Sequence, residues 1–334
     1  IPSKKSTGSS SKSNTNANAN ANAKRFGKST SISDKPRNVV IHTGRTSKMS
    51  LQVFDDETSR DVMDLLSLEE ELKVSSSQVI YEEIPKLHML RIFEDHEPVS
   101  SAVKHWMKNS KNIIRYAMKE NKYSFMEEPE KYFLPPNFDM SKVGSKQQLR
   151  IKLINDLLPL EGNNGLPEPQ RQFQSFSSVL YMKEYNKKKW IKKYVSLRQD
   201  GIYFTKGDYK TALKNQNLIN SGKPVKANEV ILLRAAHFSD CYLYYGYGWQ
   251  KHFKAPTNFG FALKSPIIQA KSKNIAYFCC DNEALFNRWI TNIRVAKYGS
   301  SLRYNFNYLM KDRPLETYIK LIKYSHDKRL NPEK

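Results

Sequence analysis

Residues 275–299 read IAYFCCDNEALFNRWITNIRVAKYG, and this stretch decides how the second half of the chain is read. Ile275 to Cys279 is a short apolar run of strand type. Asp281 or Asn282 then offers an N-cap for a helix. Leu285, Trp289, Ile293 and Ala296 recur at i, i+4, i+8 and i+11, so one helical face is apolar. Lys297 falls in the last turn, where it complements the helix dipole, and Gly299 ends the helix. Upstream lie further short strand patterns at 179–183, 190–197, 201–205, 229–233, 241–245 and 259–263. About seven strands closed by one amphipathic helix predict a small barrel, plugged at one end, with Trp289 packed into its core.

The first half has a different rhythm. Val39 to Ile41 and Met49 to Phe54 read as a hairpin around Thr43-Gly44-Arg45. Thr58 stands three residues before Asp61, a capping-box-like start with Asp in place of Glu or Gln. Val62, Leu65, Leu66 and Leu72 carry the helical stripe. Strands are expected at 78–84 and 87–93, joined at Pro85-Lys86, and at 112–118. Between the last two, Pro98 opens a helix whose Val99, Ala102, Val103 and Trp106 fall on one face. The order ββαββαβ over residues 38–134 fits an α+β ubiquitin-like β-grasp, a mixed sheet over a helix.

Around these units the composition changes. Residues 1–37 are mostly Ser, Asn, Ala and Lys, with little to bury, and are expected to be a disordered tail. Residues 135–177 are punctuated by Pro135-Pro136, Gly144, Pro159 and the run 162–169. Inside this linker, Leu149, Ile151, Leu153, Ile154, Leu157 and Leu158 are too apolar for a free spacer. Packing on a neighbouring domain is the expectation, with a docking or masking element as the alternative. Leu315, Tyr318, Ile319 and Ile322 predict another amphipathic helix in 300–334, which would extend or brace the second domain. Partner binding is the alternative there.

The net charge is +22, with 55 Lys+Arg against 33 Asp+Glu. It is unevenly spread: +7 over 1–37, −4 over 38–134, +1 over 135–177 and +18 over 178–334. Two units with different partners are implied, the second facing a polyanion. No apolar run is long enough for a membrane span, and the N-terminus lacks the apolar core of a secretory signal. The chain starts at Ile1, so a fragment of a longer polypeptide is expected. Cys241, Cys279 and Cys280 make neither a disulfide framework nor a zinc site, which suggests a reducing, intracellular setting. No Walker loop, His-Glu-x-x-His or Gly-x-Ser-x-Gly occurs, and Gly246-Tyr247-Gly248 reads as a loop. The sequence predicts no enzyme, cofactor or metal. The cluster Glu94-Asp95-His96-Glu97 precedes Pro98 and reads as a structural cap at a helix start rather than a metal site.

Two groups of residues carry a family resemblance over roughly 38–300. The first is Tyr81-Glu82, Pro85, Leu87, Arg91 and Phe93-Glu94-Asp95-His96-Glu97, which resembles a Ras-association domain that precedes a pleckstrin-homology domain. The second comprises Tyr244-Tyr245-Gly246, Lys254-Ala255-Pro256-Thr257, Leu263-Lys264 with Pro266, Cys279-Cys280-Asp281, Trp289, Ile293-Arg294 and Ala296-Lys297-Tyr298-Gly299. Together they resemble the lamellipodin/RIAM adaptor family, sister to the receptor-bound SH2 adaptors with the same tandem. The resemblance implies a Ras-association domain at 38–134, a pleckstrin-homology domain at 178–299 and a helical C-terminal extension at 300–334. It also implies a membrane adaptor: a GTP-loaded Ras- or Rap-type GTPase on the first domain and phosphoinositide on the second. In the family, flanking regions contact actin regulators.

A Ras-association domain adds its second strand to the GTPase sheet, and nearby basic side chains meet the acidic switch. The candidates are Arg37, Arg45, Lys48 and Ser50, in a segment (38–54) without an acidic residue. Lys48 matches a family lysine at the start of the second strand. For lipid, the candidates are Lys183, Lys187, Lys188, Lys189, Lys192 and Lys193 on the first two barrel strands and their turn. Alternation turns Ile191, Lys193, Val195 and Leu197 inward and Trp190, Lys192 and Tyr194 outward. Lys183 and Lys193 match the first and last basic positions of the family's lipid motif. Ile191 departs from the middle one, and Lys193 cannot make the planar bidentate contact of an Arg. Selectivity among phosphoinositides is thereby weakened, while charge-driven attraction to an anionic plasma membrane survives. Two other readings stay open: a lipid-only tether whose first domain is a scaffold, and nucleic-acid binding from the basic, Tyr- and Trp-containing surface, against which the family pattern argues.

Overall fold

A computed structural model describes residues 35–44, 46–69, 75–160, 175–184, 187, 189–221, 232–310 and 315–331. The expected tail lies almost wholly outside these residues, as do Arg45, Lys188, Leu72 and the glycine- and proline-rich part of the linker.

In the first unit, β1 (Arg37–His42) pairs antiparallel with β2 (Lys48–Val53). β1 also runs parallel to β5 (Ile113–Met118), and β5 pairs with β3 (Gln78–Ile84), which pairs with β4 (Met89–Ile92). Helix α1 (Ser59–Glu69) starts at the expected box: the Thr58 amide donates to Asp61 Oδ2 at 2.9 Å and the Asp61 amide to Thr58 Oγ1 at 3.2 Å. Its Val62, Met63 and Leu66 close a core with Val39, Ile41, Val53, Ile80, Phe93 and Ile114. This is the β-grasp layer pair.

The helix expected after Pro98 is shorter than its apolar spacing suggests. Only Ser100–Val103 (α2) is α-helical, because the amides of His105 and Trp106 bond to carbonyls three residues back, at Ala102 and Val103. Trp106 instead donates its indole N–H to Glu82 Oε1 at 2.7 Å. Two single turns, α3 (Ser124–Glu127) and α4 (Glu130–Phe133), follow β5. The apolar part of the linker is a helix, α5 (Lys146–Leu157), capped by Ser145. Its Leu157, with Leu158, packs beside Tyr123, Phe125, Val295 and Leu302.

The barrel begins with β6 (Phe176–Lys183), β7 (Trp190–Arg198) and β8 (Gly201–Thr205). A helix absent from the sequence reading, α6 (Tyr209–Asn220), packs against β7 before β9 (Leu232–His237). β9 runs further downstream than the 229–233 pattern; Glu229, Val230 and Ile231 lie outside the described residues. β10 (Tyr242–Gly246) and β11 (Gly260–Lys264) flank a second unforeseen turn of helix, α7 (Trp249–Phe253), and β12 (Ala276–Cys279) leads into α8 (Glu283–Tyr298). Asn282 caps α8, its Oδ1 accepting from the Leu285 amide at 2.9 Å, and Gly299 ends the helix at φ 56°. Trp289 is fully buried and bonds Ser178 Oγ at 2.8 Å.

The two sheets are one. Tyr245 and Gly246 of β10 pair with Leu90 and Met89 of β4, giving the order β2-β1-β5-β3-β4-β10-β11-β12-β6-β7-β8-β9. Gly246 is therefore a strand residue rather than part of a loop. Helices α9 (Ser301–Leu309) and α10 (Leu315–Leu330) follow, and here the expectation is corrected. Although Leu302 of α9 packs on α8, the extension runs back across the first unit. Tyr308 reaches Asp64, His326 bonds Glu57 at 2.5 Å, and Arg329 pairs with Asp56 at 2.8 Å.

Candidate functional site: a free strand edge and a lysine hairpin

β2 ends the sheet, so one of its backbone edges is unpaired among the described residues. Its side chains alternate in exposure, with Lys48, Ser50 and Gln52 outward and Val53 in the core. Lys48 stands opposite His42 and makes no ion pair among the described residues. Burial, with the Arg115 and Lys48 charges, holds His42 below the ordinary histidine range. Ser50 Oγ donates to the side-chain oxygen of Asn38. Arg37 is committed elsewhere: its Nε and Nη2 bond the Asp55 carboxylate at 2.9 and 3.4 Å. The edge thus offers a free backbone ladder, an available Lys48 and a partly neutralised Arg37.

At the barrel, the register divides the candidate lysines between two faces. Residues paired across an antiparallel ladder point to the same side. Lys183 pairs with Trp190, Tyr181 with Lys192, Met182 with Ile191, and Leu180 with Lys193. Ile191 and Lys193 share the inner face, as alternation predicts. Ile191 stands at the rim and is 36% exposed rather than enclosed. Lys193 Nζ donates to the carbonyls of Lys206 and Gly207 at 3.1 and 3.2 Å, which ties β7 to the segment after β8.

Lys183 and Lys192 lie on the outer face. Lys192 Nζ sits 4.9 Å from the Tyr181 ring and 3.9 Å from Asp281. Lys183 Nζ lies 5.8 Å from the Trp190 ring and donates to the Lys187 carbonyl at 2.6 Å. In the turn, Lys187 pairs with Glu184, and Lys189 is exposed. The hairpin concentrates positive charge but does not aim it at one point.

The sequence reading did not include Lys271. It follows the β11 strand, its Nζ lies 5.2 Å from the Phe253 ring, and its charge together with burial lowers the Lys183 pKa. An isolated lysine in a loop gives no sequence signal for this meeting.

The cluster at 94–97 does not cap the following helix, whose N-cap Val99 has no side-chain cap bond; it meets the start of α1 instead. The carbonyls of Glu97 and Asp95 accept from the first amides of α1, Ser59 and Arg60, at 2.7 and 3.0 Å. Its side chains hold the seam between the units. Glu94 bonds Arg294 at 2.5 and 3.1 Å, Asp95 pairs with Lys122, and Glu97 binds both Arg91 and Tyr298 at 2.8 Å. Burial works against the Asp95 and Glu97 carboxylates, but their cationic partners leave both below the ordinary range. Among the described residues no group of His, Cys, Asp and Glu is arranged to hold a metal.

The PH domain family matches residues 174–298. Human amyloid beta A4 precursor protein-binding family B member 1-interacting protein is 32% identical over 273 residues, covering 80% of this chain and 37% of that protein. Human Ras-associated and pleckstrin homology domains-containing protein 1 is 30% identical over 275 residues, covering 81% of this chain and 20% of its own length. The crystal structure of the coiled-coil, RA and PH domains of lamellipodin superposes with a TM-score of 0.67 at 25% identity, covering 88% of this chain and 97% of that one. The chain therefore spans well under two thirds of these curated relatives.

Proposed function

From the premise that this chain belongs to the lamellipodin family of Ras-association/pleckstrin-homology tandems, we propose that it is a signalling adaptor with two ligands. A Ras- or Rap-type GTPase in its GTP form docks on the β2 edge, using the backbone ladder with Lys48, Ser50, Arg37 and Arg45. An anionic, phosphoinositide-bearing membrane meets the barrel through Lys183, Lys187, Lys188, Lys189, Lys192 and Lys193. The protein is then cytoplasmic, peripheral at the plasma membrane and coupled to actin or polarity machinery through regions outside this chain. Catalysis has no part in this role.

The observation that carries the GTPase half is the unpaired β2 edge with exposed Lys48 in a segment free of acidic residues. Such an edge is a template for strand addition, and its charge complements an acidic partner. For the membrane half, each lysine near an anionic surface contributes about 1 kcal/mol, less at high salt. Each ligand alone is weak; together they raise one another's effective concentration. Lys48→Glu is expected to abolish pull-down by GTP-loaded GTPase while leaving vesicle binding intact. Unchanged pull-down would remove the GTPase half.

The second reading, a lipid-only tether, is favoured by Arg37, whose guanidinium already belongs to Asp55. It predicts no GTP-dependent partner. Changing Lys188, Lys189 and Lys193 to Glu would still remove cortical localisation.

A further inference from the structure

The outer face of the β6–β7 hairpin abuts the first unit, and a second set of basic side chains collects there. His88, in the turn between β3 and β4, holds a left-handed φ of 51°. Its carbonyl accepts from Trp249 Nε1 at 2.7 Å and from the Tyr247 amide at 3.0 Å. Its ring stacks on that of His252 in α7, with centroids 3.6 Å apart. Phe253 meets His88 edge-on at 6.0 Å and carries the Lys271 ammonium at 5.2 Å. The Phe253 carbonyl accepts from Trp190 Nε1 at 3.0 Å, and Trp190 lies under Lys183.

Two lysines and two stacked imidazoles thus sit around one aromatic floor. Among the described residues none of the four pairs with a carboxylate, although Lys183 Nζ donates one bond, to the Lys187 carbonyl at 2.6 Å. Two ammonium groups without a paired carboxylate, beside ring nitrogens able to hydrogen-bond, are unfavourable unless an anion completes the site. The shifts agree in direction: burial first, and then Lys271, lower Lys183, while burial, His252 and Lys271 lower His88. The inner face is poorer. Ile191 replaces a basic residue, and Lys193 has two of its donors on backbone carbonyls.

We propose that the seam formed by Lys183, His88, His252 and Lys271 is a phosphate-binding site for the phosphomonoester groups of an inositol phosphate, either as a lipid headgroup or as the free sugar phosphate. It deepens the phosphoinositide reading of the barrel and rests on it. His88 comes from the Ras-association unit and the other three from the barrel, so the ligand bridges both. The aromatic floor of the site is held by bonded indoles, which limits the ordering cost of binding. The groups facing His88 are His252, Tyr247, Phe253 and Lys271, and Tyr247 in turn donates to Glu83 Oε1 at 3.2 Å.

The test uses the whole chain, with Lys271→Glu combined with Lys183→Gln compared against Lys193→Gln. Calorimetry with inositol hexakisphosphate and sedimentation with vesicles containing phosphatidylinositol bisphosphate form two arms; phosphatidylserine vesicles of equal charge are the control. The seam pair should weaken phosphate-ester binding about tenfold or more, exceeding the effect of Lys193→Gln. Loss with the soluble probe assigns a free inositol phosphate, and loss only on bisphosphate vesicles assigns the lipid headgroup. Equal loss on phosphatidylserine, or a larger loss from Lys193→Gln, would overturn the seam site and leave the membrane reading standing. A wild-type chain that binds neither probe nor vesicle would overturn both.

Discussion

Arg294 and Glu94 are 200 residues apart in sequence and form a buried two-bond ion pair, with Arg294 Nη1 also on the Lys122 carbonyl at 2.7 Å. Such a pair gains little over an apolar substitute, yet removing one partner strands a buried charge. Arg294→Met is expected to cost about 3–5 kcal/mol in urea unfolding. Adding Glu94→Leu should recover most of it; a single variant as stable as wild type would contradict the pairing. The acidic run at 94–97 was visible in the sequence, but its partners Arg294 and Tyr298 were not, because nothing local marks a contact across the whole chain. Lys264 is a second costly residue. It is 1% exposed, 4.0 Å from the Tyr244 ring, and burial pushes its pKa down to about 8 from 10.5. Between those values the unfolded chain binds more protons, so stability rises with pH. From about pH 8 to about pH 10 the gain is on the order of 2 kcal/mol. Above that range Tyr245 and Tyr277, raised by burial to about 12, oppose it. Lys264→Met should flatten the rise, and an unchanged slope would exclude this cause.

At the scale of elements, those with local punctuation were legible. Thr58 and Asp61 mark α1, Asn282 and Gly299 bracket α8, and alternation in 190–197 marks the inner face of β7. Helices α6 and α7 were not, since they interrupt a strand meander with short, mixed sequences whose helicity comes from packing. Gly246 shows what the isolated Gly-x-Gly conceals. A Cβ there would lie 2.3 Å from the Trp249 indole, and one at Gly260 would lie 2.4 Å from the same ring. Trp249 is 1% exposed and bonded to His88, so it has little freedom to move away. Gly246→Ala is expected to destabilise by about 1–3 kcal/mol, as overpacking does, and to lower the thermal midpoint. A midpoint equal to wild type would mean that the ring shifts freely.

Across the whole molecule, the β-grasp and the barrel were each legible, but their fusion was not. Hydrogen bonds between β4 and β10 use backbone groups that every residue carries, so no side-chain pattern announces them. The same holds for α10, whose amphipathic stripe is visible although its seat on α1 is not. The fusion bears on the proposed function, because a continuous sheet fixes the angle between the β2 edge and the lysine hairpin. On the proposed function, a barrel held at a membrane would present the edge in one orientation, so that the two contacts would act as one. The most direct test is sedimentation of the chain with phosphoinositide vesicles carrying a membrane-anchored, GTP-loaded Ras- or Rap-type GTPase, against vesicles with either ligand alone. The account predicts binding tighter than the two single affinities would give independently, with the gain lost in Lys48→Glu. Equal binding with and without the GTPase would contradict it.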